Sequence, residues 1–258
     1  MEFKKTKKAA GLISYLILPA IIAAVWFYTT EKEIFSAAIL PSIQTVTKSF
    51  MSQMKSGQLI EDVAVSLSRV IKGFALASIL GIIFGICMGI SDKFNRFFTL
   101  TFTGIRQIPM LAWMPLIILW FGIGEASKIV IIVIGAFFPV LVNTMSGIRE
   151  IPKSFLEVGR IFQLSRWDTL RKIYLPAAIP SIFIGLRLAI GFAWMIVVAA
   201  ELISASSGVG YRINDARSLM QPEVVIVGIF VIGFIGILMD QVLTRIAKLS
   251  TPWTNSRG

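Results

Sequence analysis

Long apolar runs alternate with short polar connections along most of this chain. An α-helix needs roughly 20 predominantly apolar residues to cross a bilayer. We place six such runs at about 11–29, 74–90, 97–121, 129–146, 177–203 and 224–242. The pattern predicts an all-α, polytopic membrane protein with six transmembrane helices.

The polar connections set the predicted organisation. From the N-terminus we expect a basic cytoplasmic segment at 1–10, a first transmembrane helix at 11–29, an outer amphipathic segment at 30–72, a five-helix core at 73–246 and a cytoplasmic tail at 247–258. The core contains a polar, basic insert at 150–176. Placing both termini and this insert inside puts most of the 25 Lys and Arg on the cytoplasmic side, as topology rules favour.

Two of the runs carry small or helix-breaking residues. The second run contains Gly81, Gly85 and Gly89, a spacing that predicts close contact with another helix. The third run is interrupted by Pro109 and Pro115. Prolines free backbone carbonyls, which are tolerated at membrane depth where protein or a water-filled cavity satisfies them. We therefore expect the third run to line a pathway, although a kinked helix packed on its neighbours would look similar.

Composition supports a membrane protein and excludes several other classes. The chain has 258 residues, of which 56% are hydrophobic and 15% are charged, and the apolar fraction is too high for a soluble domain. The net charge of +11 is scattered through the connections, which indicates topology and not nucleic-acid binding. Cys87 is the only cysteine and lies inside an apolar run, so no disulfide is possible and a packing role is expected.

The residue types needed for catalysis are missing from the sequence. There is no His, no Walker A motif and no paired-carboxylate spacing among the 14 acidic residues. We therefore predict no catalytic residue, no metal site and no cofactor bound by this chain. The expected protein is not an enzyme.

The polar insert contains two possible helix starts. Ser154 with Glu157, and Ser165 with Asp168, have the spacing of capping boxes, in which a hydroxyl and a carboxyl satisfy free amides reciprocally. This predicts two short helices that meet near Leu164–Ser165.

The first of these helices would have one apolar face, with Phe155, Val158, Gly159 and Phe162 at helical spacings. Gly159 would leave a notch that suits docking against another protein. The alternative is an amphipathic helix on the lipid headgroups.

The same insert resembles a family signature. Glu157-Val158-Gly159-Arg160, Gln163, Ser165-Arg166-Trp167, Ile173, Leu175-Pro176 and Pro180 are similar to the "EAA" signature in the membrane permease subunits of ABC importers. The sequence departs from that pattern at two places. Val158-Gly159 stands where the family usually has two alanines, and Gln163 stands where it usually has glycine, a difference that bears on how sharply the chain bends there.

The resemblance implies a type I ABC importer permease fold with a cytoplasmic coupling helix. In that family the helix sits in a groove of a cytoplasmic ATPase, which binds ATP and Mg. Two permease copies form a homodimer in the plasma (inner) membrane of bacteria, and an extracytoplasmic binding protein delivers substrate. The coupling residues implied here are Glu157, Val158, Gly159, Arg160, Phe162, Gln163, Ser165, Arg166 and Trp167. Among them we expect Gly159 and Phe162 to dock, Glu157 to cap or contact the partner, and Arg166 to act as a polar anchor.

A second resemblance narrows the branch. Ile108–Leu116 and Trp120–Gly124 resemble permeases for nitrate, sulfonate, taurine and bicarbonate, which implies a small anion as substrate. The residues we expect along the pathway are Arg106, Gln107, Pro109, Met110, Trp113, Arg187, Trp194 and Glu201. Simpler roles exist for two of them: Arg187 could snorkel to the headgroups or pair with a buried carbonyl, and Glu201 could lie at the outer interface.

Three alternatives remain open at this point. One is an importer of an aromatic or vitamin-precursor substrate, such as riboflavin or a thiamine precursor. Another is an ATP-independent secondary carrier, which should show paired charges near mid-membrane or an inverted repeat. The third is a membrane scaffold, for which the proline-broken run has no evident purpose.

Overall fold

The computed structural model describes the backbone of residues 2–252 and the side chains of residues 17–252. Its helices are α1 (Glu2–Glu31), α2 (Ile43–Lys55), α3 (Gln58–Ile90), α4 (Asp92–Gln107), α5 (Met110–Phe121), α6 (Glu125–Arg149), α7 (Lys153–Ile161), α8 (Arg166–Thr169), α9 (Leu175–Ser204), α10 (Val209–Ser218) and α11 (Pro222–Ser250). A π-helical turn, Leu170–Tyr174, joins α8 to α9. The described part of the chain contains no strand, and the all-α prediction is confirmed.

Four continuous helical segments among the described residues are long and apolar enough to cross a membrane. They are Gln58–Ile90, Glu125–Arg149, Arg166–Ser204 and Pro222–Ser250, and a fifth span exists if α4 and α5 form one broken crossing with a bend of 99°. The side chains of the basic segment 1–10, the first part of span 11–29 and the end of the tail lie outside the described residues. The count of six therefore stays a prediction.

The described residues form two compact units, which we treat separately. The first takes in the chain up to Ile60 together with Arg212–Phe230. In it, the Trp26 indole donates a hydrogen bond to the Pro41 carbonyl at 3.0 Å and the ring stacks on Phe230. These contacts hold the end of α1 to the connection that leads into α2 and to Phe230 of α11.

The second unit, Glu61–Tyr211 with the residues from Val231 onward, is organised by a close contact of α3 with α6. Gly81, Gly85 and Gly89 face Val140, Thr144 and Ile148, and a methyl group at Gly85 would lie 2.6 Å from the Thr144 Cβ. The residue numbers increase in the same direction along both helices, so α3 and α6 run parallel. The predicted close packing of this glycine stripe is confirmed.

Helix directions explain the broken crossing. Since α3 and α6 are parallel, the chain between them must return to the starting side, and α4 with α5 makes that return. The α9 helix packs antiparallel to α6, with Gly185 against Asn143 and Gly147 against Ser181. It carries Ala189, Ala193 and Val197 into the main apolar core.

Two predicted boundaries differ from the observed helices. The segment 60–70, expected to lie apart on the outer surface, forms the first turns of α3, because Gln58–Ile90 contains no proline to end the helix. The fifth span was predicted to begin near Ala177, yet the helix runs without interruption from Arg166. Pro176 lacks an amide, and the chain absorbs that loss with the π-helical turn, in which the Leu175 amide donates to the Leu170 carbonyl.

Candidate functional site: a docking segment and a membrane groove

The insert forms a helix–turn–helix with one hydrophobic face left open. Phe155, Ile161, Phe162 and Trp167 have exposed fractions of 59%, 77%, 74% and 67%. Such large apolar side chains on one short segment are typical of a surface that another protein covers. Ile161 is a member of this face that the sequence analysis missed, although it follows Val158 by three residues.

The other predicted coupling residues surround this face. Glu157, Val158, Arg160, Gln163, Ser165 and Arg166 are all exposed. Gly159 is the exception, because it is buried and a methyl group there would lie 2.7 Å from Cδ1 of Ile173. The notch predicted to receive a partner is therefore filled by the same chain, and the docking role expected for Gly159 is corrected to internal packing.

Both predicted helices of the insert are present, but only one of the two predicted capping contacts forms. The Ser165 hydroxyl accepts from the Asp168 amide at 3.1 Å, and Lys172 pairs with Asp168 at 2.9 Å. Ser154 makes no such cap, because α7 already begins at Lys153 after Pro152. Proline, with its fixed φ, is suited to that boundary and leaves Ser154 inside the first turn.

Gln163 makes the turn that the signature usually assigns to glycine. Its φ is +51°; the Gln163 amide donates to the Arg160 carbonyl and the Leu164 amide to the Gly159 carbonyl. These two bonds form a Schellman motif. Gln163 therefore adopts the left-handed backbone that glycine favours, at a cost in conformational strain.

Four of the predicted pathway residues come together at the break between α4 and α5. Arg106, Gln107, Pro109 and Met110 line a groove of about 410 Å³, whose far wall includes Phe138 and Asn143 of α6 and Leu188 and Phe192 of α9. These residues share one concave surface in the second unit, and their role in a pathway stays a prediction.

The remaining pathway predictions are not on that surface. Trp113 packs on the core, and Trp194 is buried and donates to the Ile232 carbonyl at 3.0 Å. Arg187 forms a two-pronged ion pair with Asp240 of α11. Both contacts are made by side chains that point from α9 toward α11, whereas Leu188 and Phe192 point toward the groove. Trp113, Trp194 and Arg187 therefore lie outside this groove and make packing or pairing contacts, and their place along a pathway stays a prediction.

Glu201 belongs to a buried ionic cluster that the sequence analysis missed. Arg69 donates to Glu201 at 2.6 Å and to Glu125 at 2.6 and 2.8 Å. The Glu201 carboxylate also accepts from Ser66 and from the Gly210 amide, and its exposed fraction is 1%. Glu201 is therefore a buried anchor at the end of α9, and it does not line the groove; its expected position at the outer interface stays a prediction. Arg69 lies four residues before Gly73, on the same face of α3 as Gly81, Gly85 and Gly89. In the sequence, this spacing was the signal that Arg69 faces the protein interior.

No metal centre is evident in the described part of the chain, where no three His, Cys, Asp or Glu side chains cluster. The site therefore consists of an open docking face, a groove with one arginine, and a buried ionic cluster at the opposite end of α9.

Several known proteins are similar to this chain in sequence. A putative aliphatic sulfonates transport permease protein of Bacillus subtilis is 38% identical over 98% of this chain and 92% of its own length. The taurine transport system permease protein of Escherichia coli is 32% identical, covering 91% and 87%. Permeases named for nitrate and bicarbonate import in Synechococcus elongatus also match. These relatives are transporter permease subunits and not catalytic enzymes.

The fold is shared with solved transporters. A chain of an amino acid ABC transporter, crystallised with histidines, superposes with a TM-score of 0.62 at 16% identity, covering 78% of this chain and 96% of that one. The family model described as the inner membrane component of binding-protein-dependent transport systems matches residues 77–252. The chain thus belongs to the family of inner-membrane permease components of binding-protein-dependent ABC transport systems.

Proposed function

We propose that this chain is the membrane-spanning subunit of an ATP-driven importer for a small anion, coupled to a separate ATPase through the docking segment. The main support for this proposal is the exposed apolar face formed by Phe155, Ile161, Phe162 and Trp167 on a segment with fixed geometry. Family membership supplies the reason to expect an ATPase as its partner.

The structure of the segment supports transmission of movement. The Schellman motif fixes the angle between α7 and α8, and α8 continues through the π-helical turn into α9 without a break. Movement of a partner bound to Trp167 would therefore be transmitted to α9, a helix that lines the groove. The partner must bind the two transport states with different free energies, because equal binding would shift neither.

The assembly proposed is a homodimer of this chain with two ATPase subunits, which bind ATP and Mg, and an extracytoplasmic binding protein. This chain itself binds no cofactor in the proposal. In the proposal the chain spans a bacterial inner membrane, with the docking segment and both termini on the cytoplasmic side. The helices α9 and α11 run antiparallel, because Arg187 contacts Asp240 and Trp194 contacts Ile232. This direction supports a C-terminus on the same side as the docking segment.

The proposed substrate is a small anion. It is either an aliphatic sulfonate, for example taurine, or nitrate or bicarbonate. The support comes from the names of the relatives and from an arginine, with no acidic residue, in the groove lining.

A secondary carrier working without ATP is the second candidate, because one observation favours it. The Arg187–Asp240 pair joins two candidate spans, and paired charges in spans are typical of such carriers. The docking face has no purpose in this alternative.

Affinity purification of tagged chain from mild detergent tests the proposal. We expect wild type to bring down an ATP-binding subunit, and Ile161→Asp to lose it at unchanged yield of folded chain, because the new carboxylate would be buried in the interface. The matched control is Ile39→Asp, since Ile39 is a similarly exposed isoleucine, 71% against 77%, outside the docking segment. If wild type purifies alone and carries anions in liposomes without ATP, the carrier replaces the importer.

A further inference from the structure

The groove at the α4–α5 break adjoins a second cavity that lies along α4. The groove of about 410 Å³ and a neighbouring cavity of about 210 Å³ share Arg106, Phe138 and Val142 in their linings. Arg106 therefore stands between two adjoining spaces instead of closing one pocket.

Both apolar and polar side chains line these two adjoining spaces. Their apolar wall comes from Phe138 and Val142 of α6 and Leu188 and Phe192 of α9. Their polar side chains are Thr99, Thr103, Arg106, Gln107 and Asn143. This surface combines neutral hydrogen-bonding groups, apolar side chains and one cation. It suits a small ligand with an anionic group and either a short apolar substituent or none.

The charge of Arg106 is uncompensated within the described residues, where no carboxylate forms an ion pair with it. Arg187, the other arginine of the predicted pathway, is neutralised by both oxygens of Asp240. An arginine in a membrane-embedded span is costly unless it meets water or an anion. Arg106 is thus the groove residue able to attract an anion, and Arg187 is not.

We infer that Arg106 is an anion-binding residue of the translocation groove and holds an oxyanion, of the sulfonate, nitrate or bicarbonate kind, by two parallel hydrogen bonds. The planar guanidinium matches two oxygens of such a group. A short alkyl substituent would lie against Phe138 and Leu188. This inference rests on the proposed function and names the side chain that would meet its substrate.

Transport by the complete complex tests the charge at this position. The complex of wild-type chain, ATPase and binding protein is reconstituted in liposomes and supplied with taurine, ethanesulfonate, nitrate and bicarbonate. For whichever anion wild type carries, Arg106→Gln should lower the initial rate about tenfold or more, as expected for loss of a charged hydrogen-bonding partner. Arg106→Lys, a point charge without the fork, should fall between the two. Arg96→Gln is the matched control, since Arg96 is exposed on the same helix but lines neither cavity.

Charge can also be restored chemically, because Cys87 is the only cysteine in the chain. In a Cys87→Ser background, Arg106→Cys is modified either with 2-aminoethyl methanethiosulfonate, which adds a positive charge, or with methyl methanethiosulfonate, which adds none. The positive reagent should recover much of the lost rate and the neutral reagent should not. A merely structural role for Arg106 would not distinguish the two reagents.

The two hypotheses fail in different ways. If the wild-type complex carries none of the four anions, the proposed function is wrong and the inference falls with it. If wild type carries an anion, and Arg106→Gln matches Arg96→Gln at equal yield of assembled complex, only the role of Arg106 is overturned.

Discussion

Every N–H donor of the Arg69 side chain has a hydrogen-bond acceptor. The five donors are matched by Glu125, Glu201 and the carbonyl and hydroxyl of Ser207, at distances from 2.6 to 3.0 Å. The side chain is 3% exposed and that of Glu201 is fully covered. A buried charge of this kind is tolerated only because its partners are all present.

Removing Arg69 should therefore be severe. We expect Arg69→Ala to lower the free energy of unfolding by about 3–5 kcal/mol, since it leaves the Glu201 carboxylate buried without its cation. Thermal unfolding in detergent measures the change. Arg149→Ala is the control, because its pair with Asp92 is exposed, at 38% and 84%, and should cost about 1 kcal/mol or less. Equal effects of the two substitutions would show that the cluster is not a buried anchor.

At the scale of elements, the turn between α7 and α8 combines a favourable motif with an unfavourable residue. The hydrogen bonds of the Schellman motif are complete, yet Gln163 holds a left-handed backbone that its Cβ disfavours. The glycine usual in the family would adopt the same backbone without that cost.

Gln163→Gly should consequently stabilise the turn, by about 1 kcal/mol. The gain should appear in thermal unfolding of the purified chain. Gln163→Val should lower the stability, because a β-branched side chain is disfavoured further at positive φ. A loss of stability with glycine would mean that the Gln163 side chain makes a contact that offsets its strain.

The elements also show how far sequence reasoning reaches. Apolar runs, the glycine stripe and the Ser165 start were predictable because each depends on local spacing. Gly159 was misplaced because the spacing gives the face of a helix but not whether a partner or the same chain, here Ile173, covers it. Arg69 was missed because the predicted span began at Phe74, which left Arg69 among surface residues. Its partners lie 56 and 132 positions away, and no local pattern records such distances.

At the scale of the whole molecule, the Arg187–Asp240 pair fastens the two last long spans side by side. Its side chains are 53% and 44% exposed. Polar groups at membrane depth avoid lipid, so this side of α9 and α11 is expected to face protein or water in the assembled transporter. The sequence suggested either snorkelling or a carbonyl partner for Arg187, and Asp240 was not considered.

A paired substitution separates a structural role of this pair from a transport role. Arg187→Leu alone should lower the unfolding temperature in detergent, because Asp240 loses its cation, and adding Asp240→Leu should recover most of the loss. ATP-dependent transport by the double variant is expected to persist. If the double variant is stable but transports nothing, the pair acts in transport and the carrier alternative gains support.

The uninterrupted helix from Arg166 to Ser204 has a mechanical consequence. Trp167 stands near one end and Glu201, held by Arg69, near the other. At 1.5 Å per residue they are about 50 Å apart. If this helix rotates as a rigid body by about 5° about one end, the other end moves by about 4 Å. If a partner binds at Trp167 as proposed, the ionic cluster around Glu201 would hold the other end of the helix in place. Movement of Trp167 would then displace the middle of the helix, where Leu188 and Phe192 form a wall of the groove.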